Sequence, residues 1–240
     1  VVAVSLKKKR PEVSTEGPIK VARYARGEDY HRWLRRRVRR LRRTLLALDP
    51  GCRVYPTVDT SPVLERAWAA RAGVAWIGKS TMAIHPRLGT YTFLATMVTD
   101  SLLTYDEPIP DRCGSCTACL DACPTDAFPE PGVLDARRCL SYWTLEVPGS
   151  LPAGAPPPHG WVAGCDVCQE VCPWNKFARV SDDPKTRPRE GFDALSEARL
   201  AEPGGTRWLT DLLAGTALER TGADAIARNV RRASEDEDPT

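Results

Sequence analysis

The clearest periodic stretch spans residues 27–48, where Leu34, Val38, Leu41, Leu45 and Leu48 recur at three- and four-residue steps. That spacing puts them on one face of a helix, which Asp49-Pro50-Gly51 ends. Ahead of it, residues 1–6 form a short apolar run that reads as a buried strand, and residues 7–18, charged and with two prolines, read as a loop. Residues 53–58 and 91–99 are rich in β-forming side chains and read as strands. Between them, Ser61 suits a helix N-cap and Pro62 a first helical position, predicting a helix to about Arg71 that stops at Gly73. Residues 74–89 lack a period, and with Gly78 and Gly89 they read as a loop whose backbone approaches something closely. Residues 106–110 are a linker, 134–145 a short helix carrying Cys139, and 148–160, with five prolines, an exposed loop. Residues 174–191 look irregular. Residues 192–233 read as three or four short helices broken near Pro203-Gly204-Gly205, Gly215 and Gly222, and the last seven residues as a disordered polar tail.

Composition narrows this little. The 240 residues, 42% hydrophobic and 27% charged, describe one large domain or two modest ones. No apolar run approaches the roughly 18 residues of a membrane span, so no membrane partner is expected. The opening Val-Val-Ala-Val resembles the middle of a strand, suggesting that an N-terminal piece is absent. A net charge of +3 is too small alone to imply a nucleic-acid partner, but its distribution is uneven. Arg32, Arg35, Arg36, Arg37, Arg39, Arg40, Arg42 and Arg43 fill the polar face of the first helix. They are either a solvated face or a phosphate-contacting surface, since guanidinium forks match phosphate oxygens. Trp33 and His31 among them could stack on bases, although Trp33 also suits the apolar stripe.

The sharpest chemistry lies in the cysteines. Cys113, Cys116, Cys119 and Cys123-Pro124 follow C-x2-C-x2-C-x3-C-P, the spacing of a two-cluster bacterial ferredoxin. Cys165, Cys168 and Cys172-Pro173 repeat it without the first cysteine, and Cys139 can supply the missing ligand. In such ferredoxins the cysteine before the proline serves the other cluster. Cluster A then takes Cys113, Cys116, Cys119 and Cys172, and cluster B takes Cys123, Cys139, Cys165 and Cys168. Zinc on two C-x2-C pairs would leave the x3-C-P tails and Cys139 without a task. A disulfide framework suits small secreted scaffolds better than this chain. Eight thiolate ligands favour a reducing compartment, the cytoplasm. Cys52, alone beside a strand, reads as a buried structural thiol. Asp59 ends the strand at residues 53–58, where it either caps the next helix or is presented for chemistry.

Several stretches together resemble the epoxyqueuosine reductase family. They are Arg26-Gly27-Glu28-Asp29-Tyr30-His31, Val58-Asp59-Thr60-Ser61-Pro62-Val63-Leu64-Glu65-Arg66, Ala72-Gly73-Val74-Ala75-Trp76-Ile77-Gly78-Lys79, both cysteine runs, Leu134-Asp135-Ala136-Arg137-Arg138-Cys139 and Gly215-Thr216-Ala217-Leu218-Glu219-Arg220. The similarity runs over nearly the whole chain, and the Asp59 and Trp76-Lys79 stretches are its most specific parts. The resemblance implies an α+β fold in three parts. A nitroreductase-like cobalamin-binding domain, N-terminally incomplete, spans residues 1–105, a ferredoxin-like module with two [4Fe–4S] clusters 106–180, and short C-terminal helices of repeat type 181–240. It implies reduction of epoxyqueuosine to queuosine in the tRNA anticodon loop, electrons passing through both clusters to cobalamin. Asp59 is then the proton donor, with a pKa that burial against the corrin would raise. Arg66, Trp76, Gly78 and Lys79 are expected near substrate or cofactor, although Arg66 could instead pair with Glu65. Arg32, Arg35, Arg36, Arg39, Arg40 and Arg43 are expected to meet the tRNA. The implied partners are tRNA carrying epoxyqueuosine and a reducing electron donor, with the protein a monomer. No cysteine stands near Ala22, where some relatives carry one, which excludes a cysteine cobalt ligand from that segment, and the C-terminal helical part is short. A reductive dehalogenase would use the same cofactors on an organohalide. A ferredoxin-type electron carrier would leave the Asp59 stretch without a task.

Overall fold

The computed structural model describes residues 2–5, as backbone, and 19–236. In chain order, β1 (Val2–Ser5), β2 (Lys20–Val21), α1 (Tyr30–Leu48), β3 (Val54–Thr57), α2 (Glu65–Arg71), β4 (Trp76–Ile77), β5 (Ala83–Ile84) and β6 (Thr92–Thr99) form the first half. Strand β6 is the centre of an antiparallel sheet ordered β1-β6-β3. Alternation along β6 sends Phe93 and Ala95 to one face, where α1 buries Trp33, Leu34 and Val38 against them and Val58. Leu94 points the other way and packs on Ala69 of α2, Ala75 just before β4 and Ala83 of β5.

Helix α1 begins where Asp29 accepts the His31 N–H at 3.0 Å, a side-chain N-cap. Its apolar stripe is shorter than the periodicity predicts. Leu41 is 40% and Leu48 79% exposed, because the sheet supports only the first half of the helix. Helix α2 also differs. It starts at Glu65 without a side-chain cap, and Ser61 and Pro62 lie in tight turns before it. Asp59 causes the delay: its φ of +52° redirects the chain, and four more residues pass before helical hydrogen bonding begins. The loop expected at residues 74–89 contains the β4–β5 hairpin. Cys52 is half-buried rather than buried.

The second half holds α3 (Ala118–Asp121), α4 (Leu140–Leu145), β7 (Trp161–Ala163), α5 (Val167–Glu170), α6 (Glu197–Ala201), α7 (Gly205–Leu213) and α8 (Ala223–Glu235). The helix predicted over residues 134–145 is broken at Cys139, which is extended (φ −78°, ψ 123°) between a 3-10 turn and α4. The proline-rich loop is only partly exposed: Ala155, Pro158 and Gly160 are buried, and Arg232 donates to the Ala155 and Pro156 carbonyls. Strand β7 pairs in parallel with β2, extended by Lys20 N–H to Gly160 O at 2.7 Å and Ala22 N–H to Ala163 O at 2.8 Å. On that pair sits the largest core cluster, in which Val21, Ala25 and Val162 meet Leu209, Leu213, Leu218, Ile226 and Val230. Each fully buried Val, Leu or Ile side chain there contributes about 1.5–3 kcal/mol. Asn229 of α8 donates to the Thr144 and Val162 carbonyls at 2.9 and 2.7 Å and locks the helix onto β7. The first residues of the expected tail, Ser234 and Glu235, are helical, and residues 237–240 lie outside the described ones. Among the described residues no helix is long and apolar enough to cross a membrane.

Candidate active site and cysteine loops

Strand β3 leads through Val58, held in the α1 core, to Asp59. The left-handed backbone there is one that aspartate tolerates better than most residues. Asp59 Oδ2 lies 2.8 Å from Tyr30 Oη, which donates to it, and 2.8 Å from His31 Nε2. His31 Nδ1 lies 2.6 Å from Asp29 Oδ1. The capping residue of α1 therefore also orients the imidazole. Tyr30 is stacked between His31 and Phe93, with ring centroids 4.0 and 4.2 Å away. Asp59 is 56% exposed against 13% for His31, so the carboxylate opens outward and the imidazole stands behind it.

The hydrogen bond from His31 holds the Asp59 carboxyl below its usual range, against burial and with help from Tyr30. Burial opposes the charged His31 ring, but hydrogen bonds to Asp59 and Asp29 outweigh it and hold His31 above its ordinary value. The expected rise at Asp59 is thus corrected. The ionised carboxylate faces a ring that keeps the proton. Sequence reasoning treated His31 as a base-stacking candidate and missed Asp29 and Tyr30. An aspartate two residues before a histidine at a helix start is the signal that was available.

Other groups converge on this loop. Arg35 donates to Thr60 Oγ1 at 2.6 Å, which brings the exposed arginine face of α1 up to Asp59. Arg32, Arg36, Arg39, Arg40 and Arg43 are exposed on the same helix, and Arg37 pairs with Asp183. The Gly215 carbonyl accepts the Asp29 N–H at 2.8 Å. Arg220, in a double ion pair with Glu146, adds positive field at Asp59 and Tyr30. Arg66 donates to the Thr81 carbonyl at 2.7 Å and ties α2 to the β4–β5 turn.

Cys113, Cys116, Cys119 and Cys172 line one cavity with Lys79, Ser80, Ile84, Pro173 and Trp174. Cys123 and Cys139 add their field to Cys165, and Cys139 adds its field to Cys168. Cys172 of the second run thus joins three cysteines of the first around one cavity, while Cys123 and Cys139 lie close enough to Cys165 to act on it. Among the described residues no three His, Cys, Asp or Glu side chains converge as a single ion would require. Four thiols around one cavity are the donor set of an iron–sulfur cube. Burial pushes the Cys165 thiol up to about 12 and Cys168 further, and it raises Cys119 and Cys172. Loading a cluster, which needs thiolates, therefore releases protons.

Trp76, Gly78 and Lys79 gather around the residues of the first cavity. Lys79 Nζ donates to the Gly114 and Cys116 carbonyls at 2.7 and 3.0 Å. A Cβ on Gly78 would lie 3.5 Å from Cys113 Sγ. Trp76 meets Trp174 edge-on at 4.7 Å. The second loop faces the Asp59 side instead. Cys165 and Val167 pack with Tyr24 around Ala22, Leu140 and Trp161, and Tyr24 meets Tyr30 edge-on at 6.2 Å. Asp166, 1% exposed, accepts the Arg23 N–H at 2.7 Å, and burial pushes its carboxyl up to about 6.

Residues 112–175 match the model of a 4Fe-4S double cluster binding domain, and residues 1–60 that of Epoxyqueuosine reductase QueG, DUF1730. An epoxyqueuosine reductase from Gloeobacter violaceus is 41% identical over 226 residues, covering 90% of this chain and 70% of that protein. The chain belongs to the epoxyqueuosine reductase family. A second member, from a Synechococcus strain (CC9605), is 41% identical over 246 residues and is matched along 75% of its length by the whole of this chain. Among solved structures, an epoxyqueuosine reductase with an epoxyqueuosine-modified tRNA-Tyr stem loop superposes with a TM-score of 0.86 at 33% identity, over 96% of this chain and 62% of that one. One from Bacillus subtilis, described with its aspartate catalytic loop swung out of the active site, superposes with a TM-score of 0.84 at 31% identity and the same coverage. The chain thus spans 62% of the length of these two solved family members.

Proposed function

We propose that the chain carries the reductase activity of its family: epoxyqueuosine in the tRNA anticodon loop takes up two electrons and two protons, giving queuosine and water. The observation that carries this reading is the Asp29–His31–Asp59 relay, open to solvent at Asp59 and bordered by the arginines of α1. Asp29 fixes the imidazole so that Nε2 faces Asp59. His31 holds the proton, and Asp59 passes it to the oxygen leaving the epoxide, which would otherwise become an alkoxide. Tyr30 Oη keeps the carboxylate in place. Arg32, Arg35, Arg36, Arg39, Arg40 and Arg43 present guanidinium groups to the phosphates.

The reading includes two [4Fe–4S] clusters, held by Cys113, Cys116, Cys119 and Cys172 and by Cys123, Cys139, Cys165 and Cys168. It also includes cobalamin bound by a nitroreductase-like first half. The residues present suit such a cofactor. Thr57 Oγ1 and Thr96 Oγ1, opposite one another in register, are buried without partners, as are Glu65 Oε1, Trp76 Nε1 and Tyr91 Oη. A corrin rimmed with amide arms would satisfy groups of this kind. When bound, the clusters supply single electrons and cobalamin a reduced cobalt centre. A reducing electron donor completes the system.

The test is anaerobic turnover of an epoxyqueuosine-bearing stem loop by reconstituted protein, with corrinoid uptake followed separately by absorbance. Wild type should produce queuosine and His31→Ala should lose most of that rate. Wild-type turnover in Asp59→Asn would remove the acid from this scheme.

A further inference from the structure

We propose that Lys79 is a positioning residue for the first cysteine loop: it holds the loop in shape ahead of the cluster, and its charge raises the potential at which that cluster takes up an electron. The proposal rests on the reading of the cavity of Cys113, Cys116, Cys119 and Cys172 as an iron–sulfur site.

Lys79 belongs to the turn between β4 and β5, far from the cysteines in sequence, and that turn is rigid. The Gly78 N–H donates to the Met82 carbonyl at 2.9 Å and the Thr81 N–H to the Gly78 carbonyl at 2.9 Å. From outside, Arg66 holds the Thr81 carbonyl at 2.7 Å, and the Gly132 N–H donates to the Lys79 carbonyl at 2.8 Å. The side chain is therefore sent from a fixed base. It is half-buried, lines the cavity, and ends at the Gly114 and Cys116 carbonyls, 2.7 and 3.0 Å from Nζ. One ammonium thus spans both sides of Ser115, in a stretch where Gly114 has a φ of +53° and Cys116 is exposed. Few other contacts hold so open a turn, and two charge-assisted hydrogen bonds restrain it.

The same turn also reaches a sulfur. Ser80, buried beside Lys79, lines the cavity and hydrogen-bonds Cys119. A hydroxyl on a ligand sulfur and a cation beside the cluster act alike. Both stabilise the more negative, reduced state, since net charge, hydrogen bonds to sulfur and solvent exposure set cluster potentials. Asp111 and Asp121 stand on this loop too, accepting the Cys113 N–H and the Thr117 hydroxyl, and their charges act in the opposite sense. The absolute potential is the product of all of these. The part due to Lys79 is a difference, and it survives with both acids in place.

The experiment compares wild type with Lys79→Met and Lys79→Arg. In the anaerobically reconstituted proteins, dithionite supplies one electron to each cluster and ferricyanide removes it, while electron paramagnetic resonance follows the two clusters. In Lys79→Met one of the two midpoint potentials should fall by the equivalent of roughly tenfold in the reduction equilibrium, about 59 mV for one electron. The other should stay in place, and iron content should remain at about eight per chain. Lys79→Arg, which keeps the charge, should titrate near wild type. In the metal-free proteins, hydrogen exchange over residues 113–119 should be roughly tenfold faster in Lys79→Met, the scale of a charge-assisted hydrogen bond. That measurement stands even where a variant fails to hold its cluster. Wild-type potentials in Lys79→Met, or a fall of equal size in Lys79→Arg, would overturn the role of the charge. Unchanged exchange would overturn the role in shaping the loop. Either result with about eight irons in wild type leaves the cavity an iron–sulfur site, whereas wild type that takes up no iron would sink that reading and the proposal with it.

Discussion

Thr117 and Asp166 occupy equivalent places in the two cysteine loops, one residue after the cysteine that opens the shared C-x2-C-x3-C-P stretch. They precede α3 and α5 with nearly the same torsions, φ −121° and ψ 6° against φ −106° and ψ 1°. Around that common backbone the loops differ. Cys116 and Thr117 are exposed, and Lys79 reaches over to hold the loop carbonyls. Asp166 is buried and bonded to Arg23, and burial lifts the thiols of Cys165 and Cys168. Three residues before Cys165, where the first run has Cys113, the chain has Val162, fully buried in β7. The core has taken the position of the fourth thiol, and the proposed ligand set draws Cys139 from another segment in its place. One cysteine spacing used twice thus meets two different surroundings, and the packing around each sets them.

The sharpest way to break this comparison is a cysteine exchange in each loop. Cys168→Ser should abolish turnover and lower the melting temperature clearly, because its thiol is built into the side that backs the core. Cys116→Ser should abolish turnover yet melt close to wild type. Iron content should drop from about eight to about four in both variants, one four-iron cube being lost. Equal melting temperatures would show that the loops differ only superficially.

Asp59→Asn lies beyond both loops and separates proton delivery from electron supply. A fall in kcat of roughly 10²–10⁴-fold is expected, the usual worth of a placed acid, with iron content unchanged. Loss of iron in this variant would mean that the site and the second loop are structurally inseparable.

A smaller effect is the pH dependence. His31 is held above its ordinary value of 6.5, so its part of the ion pair is complete below that value and lost as pH rises through the folded pKa. Asp59 is held below 3.8, so its part is present above that value and lost as pH falls through the folded pKa. The rate should be flat between these limits and fall about tenfold per pH unit on the alkaline side. His31→Gln should remove that limb from the pH–rate profile.

The smallest effect compares the equivalent positions directly. Asp166→Ala leaves the Arg23 N–H without its acceptor and should cost about 1–3 kcal/mol in chemical denaturation. Thr117→Ala, at an exposed site, should stay within about 0.5 kcal/mol.

What could be read from the chain follows the range of the forces involved. The cysteine runs are legible because their spacing is local. Helix α1 and strands β3 and β6 are legible because each buries one face. The Asp29–His31–Asp59 relay is not, since it exists only when α1 packs against the end of β3, bringing positions nearly thirty residues apart together. Ser61-Pro62 carries a correct local signal for a helix start, but the left-handed turn at Asp59 overrides it. Strand β7 escaped because Trp161, Val162 and Ala163 are all buried, leaving no alternation to read, and a proline-rich stretch stands before it.

The parallel pairing of β2 with β7 also dictates when this protein can finish folding. As the chain leaves the ribosome, Lys20–Val21 has no neighbour until Trp161–Ala163 emerges about 140 residues later, a separation that slows closure. The first cysteine run is released well before that moment and the second just after it. The four thiols of that run, with Cys139 behind them, are therefore waiting in an unsealed chain, and iron delivery and closure of the β2–β7 seam become competing events in its biogenesis.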